Sequence, residues 1–184
     1  LIEQGAPIAP HQIRRSNAYA VTAALRQRGF QRVADDHLPD DMAILRERLR
    51  LHLTTHEVLI LSGGVSMGRF DLVPKVLEEL GVHCLRHGVA QRPGRPMWFG
   101  TSEEGRSVFA LPGNPVSTLV CLMRYVVPAL YEAMGVPPAA RERVALAAPL
   151  EWQPALTGFM PVRVATDEWA RPWATPASTR PSAS

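Results

Sequence analysis

Several things that would point to a function are scarce in this chain. Its 184 residues hold two cysteines, Cys84 and Cys121. They stand apart in apolar surroundings, which reads as buried free thiols in a reducing cytosol, not as a disulfide frame. No block of Lys and Arg occurs, and no aromatic stripe is interleaved with basic residues, which argues against a nucleic-acid partner. No basic segment followed by an apolar run stands near Leu1. The most apolar stretch, 116–134, carries Arg124 and Pro128, so it reads as a core helix and not a membrane span. A Gly-x-Ser-x-Gly elbow is missing, which argues against a Ser-His-Asp hydrolase. His52 and His56 straddle a helix end without a third ligand, and His83, Cys84 and His87 follow one strand whose neighbours face opposite sides, so zinc is poorly supported. No internal repeat is visible.

What is present is ordinary for a folded α/β domain, with 46% hydrophobic and 20% charged residues, enough to bury one core plus a smaller appendage. The formal net charge of +3 is a weak pointer to anionic ligands.

Two strand-to-helix junctions stand out. The run Glu57–Leu61 reads as a buried strand and leads into Ser62-Gly63-Gly64-Val65-Ser66-Met67-Gly68-Arg69-Phe70-Asp71. Its glycines allow a tight turn and close backbone approach, while Ser66 and Asp71 supply a hydroxyl and a carboxylate. The run Ser107–Leu111 leads into Pro112-Gly113-Asn114-Pro115-Val116-Ser117, where Asn114 suits a helix N-cap and Pro115 the first helical position. A helix N-terminus following a glycine turn is a site for phosphate or another oxyanion. On parallel strands the two turns would lie side by side at the carboxyl edge of one sheet.

Along the chain, helices and strands alternate. Helices are expected over Asn17 to Arg28 with Val21 and Leu25 inward, and over Met42 to about Leu53, capped by Asp40 or Asp41, with Ile44, Leu45 and Leu49 inward. Two further helices run from Leu72 to Leu80 and from Pro115 to Ala133. The last is expected to bury Leu119, Val120, Leu122, Met123, Val126 and Val127. Strands are expected at Gln31–Ala34, at Val58, at His83–Val89, at Pro96–Phe99 and at Val108. This alternation predicts a three-layer α/β/α sandwich with a largely parallel sheet over 1–135. Part of a small β-domain is expected over 136–172, with strands in Arg143–Leu150 and Phe159–Val164, and a disordered tail over 173–184.

The runs SGGVSMGRFD, VAQRPGRP and FALPGNPVS, in this order and spacing, resemble the molybdopterin molybdotransferases, the family of MoeA and the gephyrin E-domain. Gln12–Asn17, Leu38–Asp41 and Met97–Gly100 fit the same pattern. The resemblance runs from about Gly5 through Gly135. It implies insertion of molybdate into adenylated molybdopterin with release of AMP, with Mg²⁺ as cofactor. It also implies roles for individual residues. Asp71 falls on the family's Gly-x-x-Asp position and Asp40 on its Asp-Asp site, as catalytic carboxylates and metal ligands. Gly63, Gly64, Ser66, Gly68, Arg92, Pro93, Arg95, Pro112, Gly113, Asn114, Pro115 and Ser117 would bind substrate. Arg92-Pro93-Gly94-Arg95-Pro96 is itself a stiff cationic turn, able to hold a guanidinium toward an oxyanion.

The sequence departs from the family's pattern at Gly88, where a Lys or Arg is common, and at Ser182-Ala183, where Ser-Gly is expected. Arg163 matches an arginine of the family's C-terminal domain only loosely. Leu1-Ile-Glu-Gln-Gly5 resembles the residues just after the family's acidic Thr-Gly-Asp-Glu segment, so the chain reads as a C-terminal piece, impaired in activity by itself. The family pattern further implies a cytoplasmic protein with a pterin substrate, a homodimer in the full-length form and the molybdopterin adenylyltransferase as partner, with neither nucleic acid nor membrane. The alternative reading is a non-catalytic pterin-binding or scaffolding module. A molybdopterin adenylyltransferase on the same fold fits less well, because that relative's glycine motif differs.

Overall fold

A computed structural model describes residues 2, 5, 7–10, 12, 15–65, 71–138, 140, 142–151 and 155–177. Ser66 and Gly68 of the first junction, and Ser182-Ala183, lie outside the described residues.

Four strands form the central sheet in the order β1 (Val58–Ser62), β5 (Ser107–Leu111), β4 (Trp98–Ser102), β2 (Val82–His87). Side chains alternate across β5. Val108 and Ala110 join Leu59, Trp98 and Val82 against α2 (Met42–Thr55) and α3 (Leu72–Glu79), through Leu45, Leu49, Val76 and Leu77. Phe109 and Leu111 face the other way, toward Val21 and Leu25 of α1 (Asn17–Arg26) and Cys121 and Leu122 at the end of α4 (Pro115–Cys121). Burying both faces of one strand is what makes its sequence a continuous apolar run. Two helices cover each face, which is the expected α/β/α layering.

The sheet is mixed, not largely parallel. β1 and β5 are parallel, whereas β4 runs antiparallel to both β5 and β2. The reason lies in the connections: β4 and β5 are joined by a short turn through Gly105, and β2 and β4 by loop 88–97, neither containing a helix. Without a helical crossover consecutive strands pair antiparallel. The strand expected at Gln31–Ala34 is not formed. These residues line an open cavity of about 340 Å³ with Thr55 and His56, at the amino end of β1.

The last helix differs from its expected face. After α4 the chain makes one π turn, Leu122–Val126, before α5 (Val127–Ala133). The buried stripe runs through Thr118, Cys121 and Leu122, leaving Leu119 and Met123 38% and 40% exposed, and past the π turn the extra residue moves it along to Val126 and Val127. Such insertions recur at functional sites. Pro115–Ala133 is long and apolar enough to cross a membrane by length and composition, and here its buried stripe is a core face. Ile44 is likewise exposed while Leu45 and Leu49 are buried, because α2 turns Leu45 and Leu49 to the core with Met42 and Leu53 packed beside them.

Cys121 is buried as expected, but Cys84 is exposed, on the uncovered edge strand β2. Past Gly135, β6 (Ala145–Leu146), β9 (Pro172–Pro176) and β8 (Val162–Thr166) make a three-stranded sheet in that order. Pro172–Pro176 therefore belongs to a strand, although disorder is expected from 173, because it pairs with β6 on one side and β8 on the other. Residues 178–184 lie outside the described residues. A further strand, β7 (Thr157–Gly158), pairs in parallel with β3 (Gln91–Arg92).

Candidate functional site

Strand directions bring the described residues of the candidate site to one edge. β1 and β5 both end there, at Ser62 and Leu111, which are paired in the parallel ladder. α3 and α4 follow these strand ends, so both start at that edge. α2 leads back into β1 and so starts there too. β2 runs with β5, so loop 88–97, carrying Arg92 and Arg95, also leaves from the carboxyl edge. Open α/β sheets bind ligands in this position.

The two glycine turns touch. Gly63 N–H donates to the Leu111 carbonyl at 3.0 Å, and a Cβ placed on Gly113 would lie 3.6 Å from Gly63 Cα. Asn17, the first residue of α1, spans both junctions: its Nδ2 donates to Ser62 Oγ at 2.7 Å and to the Gly113 carbonyl at 2.8 Å. Its Oδ1 is buried without a hydrogen-bond partner, a polar atom left over at the heart of the site. Asn17 ends the Gln12–Asn17 segment of the family pattern, and nothing local in the sequence marks it as a site residue. Only its long-range partners reveal it.

Each helix start is finished differently. At α4, Asn114 Oδ1 accepts from Val116 N–H at 3.1 Å and Ser117 N–H at 3.2 Å, and Pro115 has no N–H to give. Thr118 Oγ1 donates to the Pro112 carbonyl at 2.6 Å, pinning the turn from behind. Ser117 is buried, with Oγ 3.5 Å from the Asn114 oxygen. At α2 the cap is Asp41, accepting from Ala43 and Ile44 N–H, which leaves the exposed Asp40 next to it outside the cap. At α3, Asp71 occupies the N-cap position but its side chain does not cap the helix. Gly64, at φ +70°, packs on the first turn of α3 so closely that a Cβ would meet Val73 Cγ2 at 2.8 Å. Of these three starts, α3 is the one whose amides are not taken by its own N-cap side chain.

The cationic turn leans on the π turn. Arg92 and Arg95 are exposed while Gly94 is buried between them. Cys121, at the back of the turn, has its thiol pushed up to about 11 by burial, so at neutral pH it is an inert SH group. Gly88 sits three residues before Gln91 with φ +80°, a backbone for which glycine is suited and a long basic side chain is not.

A layered α/β domain with an oxyanion-suited carboxyl edge is the class that this geometry defines. A family described as a probable molybdopterin binding domain matches residues 2–132, and the chain belongs to that family. A molybdopterin molybdenumtransferase of Synechocystis sp. is 48% identical over 116 residues, covering 62% of this chain and 30% of that protein. Molybdopterin molybdenumtransferase 2 of Mycobacterium tuberculosis is 35% identical over 142 residues, covering 74% of this chain and 35% of its own length. In structure, a molybdopterin biosynthesis MoeA protein from Pyrococcus horikoshii matches with a TM-score of 0.73 at 29% identity, over 97% of this chain and 42% of that one. The chain thus spans about a third of the length of these curated relatives.

Proposed function

We propose that this chain is the pterin-binding unit of a molybdopterin molybdotransferase, at which molybdate is inserted into adenylated molybdopterin and AMP is released. The observation that carries this is the convergence of the two glycine turns, the α2, α3 and α4 starts and the Arg92–Arg95 turn on one sheet edge, spanned by Asn17. The names of the relatives supply the chemistry that such an edge would serve.

In this reading the Gly63-Gly64 turn and the start of α3, with Ser66 and Gly68, cradle the pyrophosphate of the adenylate. Pro112, Gly113, Asn114, Pro115 and Ser117 form the facing wall. Asn114 keeps its Oδ1 on the helix and turns its Nδ2 to the ligand. Arg92 and Arg95, with Pro93 stiffening the backbone between them, neutralise the oxyanion and hold it for reaction. Asp71 and Asp40 hold Mg²⁺. The donor set fits, because Mg²⁺ is commonly bound through one or two carboxylates and completes its octahedron with phosphate oxygens and water. When bound, the ion polarises the phosphoanhydride. The full-length protein acts in the cytoplasm as a homodimer and receives its substrate from the molybdopterin adenylyltransferase.

Calorimetric titration of the chain with inorganic pyrophosphate, with and without Mg²⁺, tests the site. Asp71→Asn should remove the Mg²⁺-dependent part of the affinity, and identical binding with and without Mg²⁺ in parent and variant would take Asp71 out of the metal site. Reconstitution of apo nitrate reductase from adenylated molybdopterin and molybdate tests the activity. The chain alone should support little, and a version extended by the flanking segments of its relatives should support much more. Failure of both would favour the binding-module alternative.

A further inference from the structure

We infer that Tyr125, Gln91 and Cys121 form a buried brace that fixes the Arg92–Arg95 turn, making Tyr125 a positioning residue for oxyanion binding; this rests on the reading of the site given above. The four consecutive carbonyls of the turn each accept a hydrogen bond. The Arg92 carbonyl takes Phe159 N–H at 2.9 Å, and the Arg95 carbonyl takes Val89 N–H at 2.9 Å. Between them, the Pro93 carbonyl takes Gln91 Nε2 at 2.9 Å and the Gly94 carbonyl takes Cys121 Sγ at 3.6 Å. Gln91 is only 2% exposed, and its amide is fully engaged, since Nε2 also reaches Cys121 Sγ and Oε1 accepts from the Tyr125 hydroxyl.

The π turn is what makes this possible. It holds Tyr125 half-buried beside Gln91, while the core stripe shifts to Val126 and Val127. Gly94 completes the fit, for a Cβ there would lie 2.6 Å from both Cys121 Sγ and Gln91 Nε2. With its backbone held at every carbonyl, the turn leaves only the side-chain torsions of Arg92 and Arg95 to be ordered on binding. Pre-organisation of this kind raises affinity by lowering the ordering cost. The brace also reaches the C-terminal segment, because the Phe159 amide that holds Arg92 follows β7, and the Arg124 guanidinium stands 5.9 Å over the Phe159 ring.

The test is a double-mutant cycle read by pyrophosphate calorimetry on the 184-residue chain, with thermal melts run alongside. Tyr125→Phe removes one hydroxyl and leaves the ring, and should weaken pyrophosphate binding about three- to tenfold, the worth of one buried hydrogen bond. The same change made on top of Arg92→Ala and Arg95→Ala should do nothing further to binding, since the brace acts through those guanidinium groups. A purely structural role would lower the melting temperature in both backgrounds and lower affinity equally in both. Unchanged affinity in Tyr125→Phe, or an equal loss with and without the arginines, overturns the brace. If Arg92→Ala and Arg95→Ala together leave pyrophosphate binding intact, or the parent chain binds none, the reading of the site falls and the brace falls with it.

Discussion

At the end of β5 the chain enters a helix whose first amides are already bonded by Asn114, whose turn is pinned by Thr118, and whose interior is buried through Cys121 and Leu122. At the end of β1 it enters a helix whose N-cap residue, Asp71, makes no such bond, after a turn in which Gly64 is pressed against Val73. Both junctions are a strand, a glycine turn and a helix, and both N-termini carry the same partial positive charge. A helix start closed by its own N-cap side chain mainly anchors; one whose N-cap side chain leaves the amides alone can receive an anion. In the function proposed above, the β5 junction serves as scaffold and one wall of the site and the β1 junction meets the ligand.

The largest test of that division is behind α4. Leu122→Ala removes a fully buried side chain and should cost about 2–5 kcal/mol of stability in urea unfolding, whereas Leu119→Ala, on the exposed side of the same helix, should cost about 0.5 kcal/mol. Equal costs would mean that the helix does not pack on the sheet through Leu122. Next in size is Gly64→Ala, where a Cβ would overlap Val73 and the backbone is left-handed; about 1–3 kcal/mol is expected. Pyrophosphate affinity should fall with it if this turn is the cradle, and a variant that loses stability but keeps full affinity would move the ligand elsewhere.

A smaller effect separates capping from binding at α4. Asn114→Ala should cost about 0.5–2 kcal/mol, while Asn114→Asp keeps the capping oxygen and stays near parental stability. The aspartate variant should nonetheless bind pyrophosphate less well, because it removes the Nδ2 donor and adds a negative charge; unchanged affinity would confine Asn114 to the cap. The smallest contrast is between neighbours on α2. Asp41→Ala should cost about 1 kcal/mol with no effect on Mg²⁺-dependent binding. Asp40→Ala should do the reverse, and a metal effect from Asp41 instead would exchange their roles.

Much of this was legible before the structure. The apolar runs before each glycine turn, the Asn114-Pro115 helix start and the inward faces Val21/Leu25 and Leu45/Leu49 follow from local periodicity and capping chemistry, which act over a few residues. The ambiguity between Asp40 and Asp41 was also visible, but only the geometry of the two amide bonds to Asp41 resolves it. The failures share a cause. Calling the sheet largely parallel, burying Leu119 and Met123, hiding Cys84 and releasing the chain at Trp173 all assumed neighbours that the sequence does not specify.

By itself, then, the sequence determined which segments would be helix or strand around the two junctions, where each helix would begin, and which residue types would be available for an oxyanion. These are consequences of side-chain shape, periodicity and hydrogen-bonding capacity within one turn or one strand. Tertiary structure decided the strand directions that gather those residues on one edge, the Asn17 bridge between turns 45 and 96 residues away from it, and the brace of Gln91, Tyr125 and Cys121 behind the arginines. Contacts across such separations depend on how whole elements pack, and no local pattern in the chain encodes them.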